Sequence, residues 1–292
     1  MSERIAYLLG FMALSVSLGM GQSSALRFPE KVEAGTAFSV PTTGSGTATV
    51  YIVGPGDAVR REVKLGESLS FGADDLHNAG HYLAFLVQGS STQSTQFDVT
   101  ASHQPATLSF LAKPSRLSVN RSDGISGVVY VFDAFRNLVL QQQSVSFELS
   151  DSTGRAQSRS ATTRDGVAWV KMNSAAKAGP AQFQAVAGNV REKRVIQQVP
   201  GDPCSIRMTV RGAVKKERIA LETEPVRDCN GNPVPDGTIV TFTQTYRGGQ
   251  STVDVPLKRG VARTELPARD GAVLSVAAGV VMGNEIHWSG GL

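Results

Sequence analysis

Hydrophobic and polar residues alternate one by one through much of the chain. Thr47-Ala48-Thr49-Val50-Tyr51-Ile52-Val53, Val145-Ser146-Phe147-Glu148-Leu149 and Thr238-Ile239-Val240-Thr241-Phe242-Thr243 follow this period of two, and Val128-Val129-Tyr130-Val131-Phe132 is a continuous β-branched and aromatic run. Successive side chains of a strand point to opposite faces, so such runs predict strands with at least one buried face. Turn residues bound each of them. Helical periodicity over three turns is absent after residue 25. Short strands at regular spacing, with turns between them, predict an all-β chain of packed sheets.

The N-terminus follows a different pattern. Arg4 gives a positive start, weakened by Glu3; Ile5 to Met20 is then an apolar run broken only by Ser and Gly, and Ser23-Ser24-Ala25 follows. This reads as a secretory signal peptide, residues 1–25, cut after Ala25. The competing reading, an uncleaved membrane anchor, is disfavoured because the run is short for a span. No later segment holds eighteen apolar residues in a row, so the mature chain is expected to carry no transmembrane span. The expected location is exported: periplasmic, secreted or associated with the cell surface.

The chain repeats itself. Asp133-Ala134-Phe135-Arg136-Asn137-Leu138-Val139 is answered 95 residues later by Asp228-Cys229-Asn230-Gly231-Asn232-Pro233-Val234. Gly166-Val167-Ala168 is answered by Gly260-Val261-Ala262, Gly179 by Gly271, and Ala187-Gly188 by Ala278-Gly279, in the same order and at nearly constant offset. Two copies of one domain follow. The order Asp-x-x-x-Asn-Pro-Val, then Val-x-Phe, then Gly-x-Ala, then Ala-Gly resembles the bacterial Ig-like domains of the invasin and intimin group. Residues 202–292 carry it through Asp228, Asn232, Pro233, Val234, Gly237, Val240, Phe242, Gly260, Ala262 and Gly271. Residues 104–199 carry it through Asp133, Asn137, Val145, Phe147, Thr163, Gly166, Ala168, Ala178 and Gly179, with Leu138 where Pro is usual. The resemblance implies an immunoglobulin-like β-sandwich for each copy. Its motifs are turns and core strands, so they speak to fold more than to function.

Residues 26–102 read as a third, more divergent sandwich. In Asp75-Leu76-His77-Asn78-Ala79-Gly80-His81-Tyr82-Leu83-Ala84 the tyrosine sits as in the tyrosine corner of Ig-type domains. Ala84 stands where the second core cysteine would be, so packing must replace an inter-sheet disulfide. The junctions Ser102-His103-Gln104-Pro105 and Val199-Pro200-Gly201-Asp202-Pro203 are short and contain Pro, which predicts a semi-rigid tandem array.

Composition narrows the chemistry. Hydrophobic residues make up 41% and charged residues 18%, as in a globular chain, and the net charge is only +4. The basic knots Arg60-Arg61, Lys215-Lys216-Glu217-Arg218 and Arg191-Glu192-Lys193-Arg194 lack interleaved aromatics and read as solvated strand faces, with no nucleic-acid footprint. The two cysteines, Cys204 and Cys229, lie 25 residues apart. In an oxidising compartment such a pair is usually bridged, which would stabilise one domain by about 3 kcal/mol; free buried thiols are the alternative.

No phosphate-binding loop, dinucleotide fingerprint, nucleophile elbow or zinc motif is present. His77 and His81 fall in the tyrosine-corner turn, where they need not converge on a metal. His287 reads as an edge or tip residue. Asp228, Asn230 and Asn232 mimic the start of a calcium loop, but Pro233 replaces the required Gly and Ile239 the final Glu, so a turn is the better reading; a calcium site near Asp202 and Asp236 stays open. Asp74-Asp75, Asp151 and the pair Glu222 and Glu224 are the candidate catalytic carboxylates, each expected at a turn or on an exposed strand face. Trp169, inside a strand, is expected in the core.

These features together predict a non-catalytic protein with no cofactor. The expected role is a structural spacer or protein-binding subunit of a bacterial envelope or surface assembly, with an envelope or surface protein as partner. A carbohydrate-binding accessory module and a periplasmic chaperone with Ig-like domains are the alternatives.

Overall fold

The alternating runs form strands at their expected places in the computed structural model, which describes residues 26–211 and 217–289. The expected signal peptide and Lys215-Lys216 lie outside the described residues. The structure divides into two units, Met1–Thr100 and Ala101–Leu292. No helix of the described residues is long and apolar enough to cross a membrane.

The first unit contains β1 (Lys31–Glu33), β2 (Phe38–Pro41), β3 (Thr47–Gly54), β4 (Asp57–Lys64), β5 (Ser68–Phe71), β6 (Gly80–Gln88) and β7 (Ser91–Thr100). One sheet runs in the order β1-β7-β6-β3-β4, with β1 parallel to β7, and β2 pairs with β5 in the other. Ala48, Val50 and Ile52 of β3 turn inward, as their alternation requires, and the core also holds Tyr82, Leu86, Phe97, Val40 and Phe71. Ala84 is fully buried, and an aromatic stack fills the place of a disulfide: Phe28 and Phe97 lie 4.5 Å apart, Tyr82 and Phe97 5.5 Å, and Phe38 and Phe71 4.8 Å.

The second unit holds two further cores. The first is built from β8 (Thr107–Lys113), β9 (Arg116–Ser118), β10 (Ile125–Phe132), β11 (Ser144–Ser150), β12 (Ala156–Thr162), β13 (Val167–Met172), β14 (Gly179–Ala187) and β15 (Val190–Val199). Its sheets are β13-β10-β8 and β12-β11-β14-β15-β9. The leading segment serves both sheets, since β8 pairs antiparallel with β10 and β9 parallel with β15. Phe110, Phe147 and Phe183 meet at its centre, with ring centroids 5.0 to 6.2 Å apart.

The last core is built from β16 (Pro203–Ser205), β17 (Met208–Val210), β18 (Arg218–Thr223), β19 (Arg227–Asp228), β20 (Ile239–Tyr246), β21 (Gly249–Pro256), β22 (Arg263–Pro267), β23 (Ala272–Ala278) and β24 (Val281–Trp288). Here the sheets are β17-β18-β22 and β21-β20-β23-β24, and β16 pairs with β19. The Asn284 side chain accepts the Met208 N–H at 2.7 Å and donates to the Met208 carbonyl at 3.1 Å, which fastens β24 to the other sheet. His287 lies on this edge strand, and Trp288 packs partly buried against the core.

The repeated glycines mark the same turn. Asp165 and Gly166 (φ 49° and 77°) and Arg259 and Gly260 (φ 53° and 79°) each form a two-residue left-handed turn, leading into β13 and β22 respectively. Two consecutive positive φ values demand Gly at the second place. The Asp133 and Asp228 segments do not run directly into the next strand. The strands β11 and β20 begin only at Ser144 and Ile239, because the aspartates shape loops instead.

Gly127 faces the Phe183 ring, and a Cβ there would stand 2.6 Å from it. Gly127→Ala is expected to destabilise this sandwich by about 1–3 kcal/mol through overpacking. The check is a lower denaturant midpoint at unchanged m-value.

Candidate functional site

The repeat places a buried aspartate in each sandwich of the second unit, in the segment that follows β10 and at the end of β19. Asp133 is fully buried just after β10. Its Oδ1 accepts the backbone N–H groups of Phe135 (2.9 Å) and Asn137 (2.8 Å). Its Oδ2 accepts the Asn137 amide at 2.9 Å and the N–H of Ser102 at 3.0 Å. A short carboxylate suits this work: it reaches its own backbone two and four residues on, and ionised it only accepts. Ser102 belongs to the stretch leading into β8, so the carboxylate ties that stretch to the sandwich.

Asp228 repeats the arrangement. Oδ1 accepts the N–H groups of Asn230 (2.9 Å) and Asn232 (2.8 Å); Oδ2 accepts the Asn232 amide (2.9 Å) and the N–H of Gly201 (2.9 Å). Gly231 takes the left-handed conformation that Arg136 takes in the first copy, φ 76° against 67°. Pro233 bridges to Arg227 where Leu138 bridges to Phe132.

Asn232 does one thing more. Its Oδ1 accepts the N–H of Ala178 at 3.0 Å, and its Nδ2 donates to the carbonyl of Ala176 at 2.8 Å. Those residues lie in the β13–β14 loop of the preceding sandwich. The Lys177 ammonium donates to the Asn230 carbonyl at 2.9 Å, and the Asn120 amide to Asn230 Oδ1 at 2.8 Å. The linker through Gly201 and the facing loops are thus joined side by side. Cys204 and Cys229 form a disulfide that pins β16 to β19 beside Asp228, and both are exposed, which rules out the pair of free buried thiols.

Burial of Asp228 works against its ionisation. The hydrogen bonds from the Asn232 side chain and from the backbone of Gly201, Asn232 and Asn230 outweigh that effect and hold its carboxyl below the usual carboxylate value. The same donors occupy the oxygens that a cation would need. Asp236 accepts the N–H of Gly260 at 3.1 Å. Among the described residues no group of three or more His, Cys, Asp or Glu is placed to hold a metal.

In the first unit the Tyr82 hydroxyl donates toward Asp57 Oδ2 (2.6 Å) and the Asn78 carbonyl (2.8 Å). Burial, then Asp57, raises the Tyr82 pKa. His77 faces Asp57 at 3.8 Å and His81 faces Asp98 at 3.0 Å, so the two do not converge. Gly179, φ 143°, packs against Ser152, and Gly271, φ 71°, has open space.

Two expectations fail. Glu222 is not on an exposed strand face: it is 7% exposed, gripped by Arg263 at 2.7 Å and by Arg211. Those hydrogen bonds, Arg263 first, lower its pKa, so it is a fixed anion rather than a proton donor. Trp169 is not in the core: it is 64% exposed on β13. Of the remaining carboxylate candidates, Asp75 is engaged with Arg61 and the Gly72 N–H, Asp151 with Thr153 and Arg155 in its own turn, and Glu224 faces Arg207 at 3.8 Å.

No protein-family model and no curated protein matches the sequence. Solved structures with similarity include invasin, described as a bacterial integrin-binding protein, at 12% identity and TM-score 0.45, over 87% of this chain and 56% of that one. A tetra-tandem repeat from the extending region of a large adhesion protein is 16% identical, TM-score 0.34, over 88% and 71%. The FN1–FN3 domains of chicken CNTN1 are 11% identical, TM-score 0.38, over 90% and 95%. The chain's own strand order and register define it as a tandem immunoglobulin-like β-sandwich protein.

Asp228→Ala leaves several buried N–H groups unpartnered and is expected to cost about 3 kcal/mol. In the wild type, a folded-state pKa below the unfolded value means that the stabilisation is full above about pH 4 and is lost as the pH falls through the lowered value. Urea unfolding followed from pH 7 to pH 2 checks both points: Asp228→Asn should show a weaker acid dependence. Tyr82→Phe removes the donor to Asp57 and should cost about 2 kcal/mol, read by calorimetry.

Proposed function

We propose that this chain is an exported, non-catalytic spacer or protein-binding subunit of a bacterial envelope or surface assembly. Its domains are taken as 26–102, 104–199 and 202–292. The observation that carries the reading is the hydrogen-bonded junction of the second unit. A flexible tether would need no such bonds, whereas a spacer must keep one domain's position fixed relative to the next. Asn232 reaches across to Ala176 and Ala178, while Asp228 holds the linker at Gly201. A chaperone would instead need an open basic cleft between sandwiches, and here the ammonium of Lys177 is already spent on Asn230. The exposed disulfide fits an oxidising compartment. Protein partners would engage loop tips or an edge strand.

Spin labels on the second and third sandwiches test the spacer role through their distance distribution. A narrow distribution is expected, broadened severalfold in Asn232→Ala. A wild-type distribution as broad as the variant's would sink the reading. Cross-linking on intact cells, followed by mass spectrometry, should recover an envelope or surface protein.

A further inference from the structure

Trp169 stands on the outer face of the β13-β10-β8 sheet, and its surroundings are unlike a solvated strand face. Strand register puts it in one row with Val128 and Leu111, which share that face. Leu111 is 51% exposed. The next row is Lys171, Ser126 and Lys113; the row on the other side is Val167, Tyr130 and Ser109. No carboxylate lies on any of the three strands, and both lysines are exposed.

The repeat supplies an internal control. In the last sandwich the corresponding sheet is β17-β18-β22, and the residue three places after the turn glycine is Arg263 rather than Trp169. Its row is Arg263, Glu222 and Thr209. The same scaffold therefore folds with an ion pair where the second sandwich carries exposed Trp169 and Leu111 on either side of a half-buried Val128. Core packing does not call for Trp169, and the exposed indole with exposed Leu111 in the same row offers a flat apolar contact surface.

We propose that this face binds an acidic oligosaccharide, with a sugar ring stacked on the Trp169 indole and its carboxylates at Lys113 and Lys171. Size and charge select this occupant. Two strand spacings and four residues along a strand make a flat platform of about 10 by 14 Å. That is far below the roughly 800 Å² per partner that a stable protein interface buries, but it suits a short sugar chain. The flat π-face of a tryptophan matches the apolar face of a pyranose, while Ser126, Ser109 and the Tyr130 hydroxyl lie in the flanking rows to meet sugar hydroxyls. The two lysines sit about 10 Å apart, one on each side of Ser126, with no carboxylate on the sheet to neutralise them. This assignment deepens the spacer reading by giving the spacer a ligand face.

The test uses the full mature chain, titrated by calorimetry with a uronic-acid tetrasaccharide and with neutral cellotetraose. Saturable binding of the acidic sugar in the micromolar to millimolar range is expected, weakening with salt. Trp169→Ala should lower affinity at least tenfold with unchanged thermal stability, since the side chain is exposed. Lys113→Gln with Lys171→Gln should abolish the preference for the acidic sugar. Arg263→Ala, in the matching row of the other copy, should leave affinity unchanged. So should Asn232→Ala, which separates this proposal from the spacer reading. No saturation with either sugar, equal affinity for the two, or unchanged binding in Trp169→Ala would overturn it. Trp169-dependent self-association without sugar binding would overturn it as well, and would assign the face to a second copy of the chain.

Discussion

A buried carboxylate that satisfies its own loop and the incoming linker together is the constraint on which the second unit is organised. A charged group taken out of water is tolerated only when donors surround it. Asp133 and Asp228 are each ringed by backbone N–H groups and an asparagine amide, and one of those N–H groups belongs to the stretch entering the sandwich. The electrostatic requirement of the carboxylate is thereby converted into a positional requirement on the linker. Removing the charge would leave donors stranded, so the clamp resists piecemeal loosening.

At the last sandwich this clamp extends into a junction. Asn232 uses one end of its amide on Ala178 and the other on Ala176 and Asp228, so a single side chain couples the loop, the clamp and the neighbouring domain. The Cys204–Cys229 bridge lies alongside and restrains the strand that follows the linker. Individually these bonds are worth about 1 kcal/mol each, but they share atoms and are made together, which favours a single arrangement over many. The first unit solves a comparable problem differently. Its Tyr82 hydroxyl ties Asp57 to the Asn78 carbonyl, and stacked aromatic rings occupy the core.

The two copies diverge on the outer face of their three-stranded sheets. One carries an Arg–Glu–Arg cluster in which Glu222 is held between Arg211 and Arg263; the other carries Trp169, Val128 and Leu111 beside a row that holds Lys171 and Lys113. Interior positions are constrained by packing in both copies and stay alike, as Phe147 and Phe242 do on matching strands. The outer face is free of that packing constraint, which leaves the two copies room to differ there.

The sequence alone determined the strands, the repeat, the sandwich architecture and the nearness of Cys204 to Cys229, because each depends on local alternation, turn chemistry or short separation. Asp133, Asn137, Asp228 and Asn232 were visible as turn residues for the same reason. Their second role was not, since Ala176 and Ala178 lie more than fifty residues from Asn232 and reach it through backbone groups that carry no sequence signal. Tertiary structure alone also decided which way Trp169 points. In Val167-Ala168-Trp169-Val170-Lys171-Met172 both faces of the strand carry hydrophobic residues, so alternation cannot name the inner one; packing chose Ala168, Val170 and Met172, which fit beneath the opposing sheet, and left the indole outside. Glu222 took the opposite course, drawn out of solvent because Arg263 of β22 and Arg211 just beyond β17 close over it.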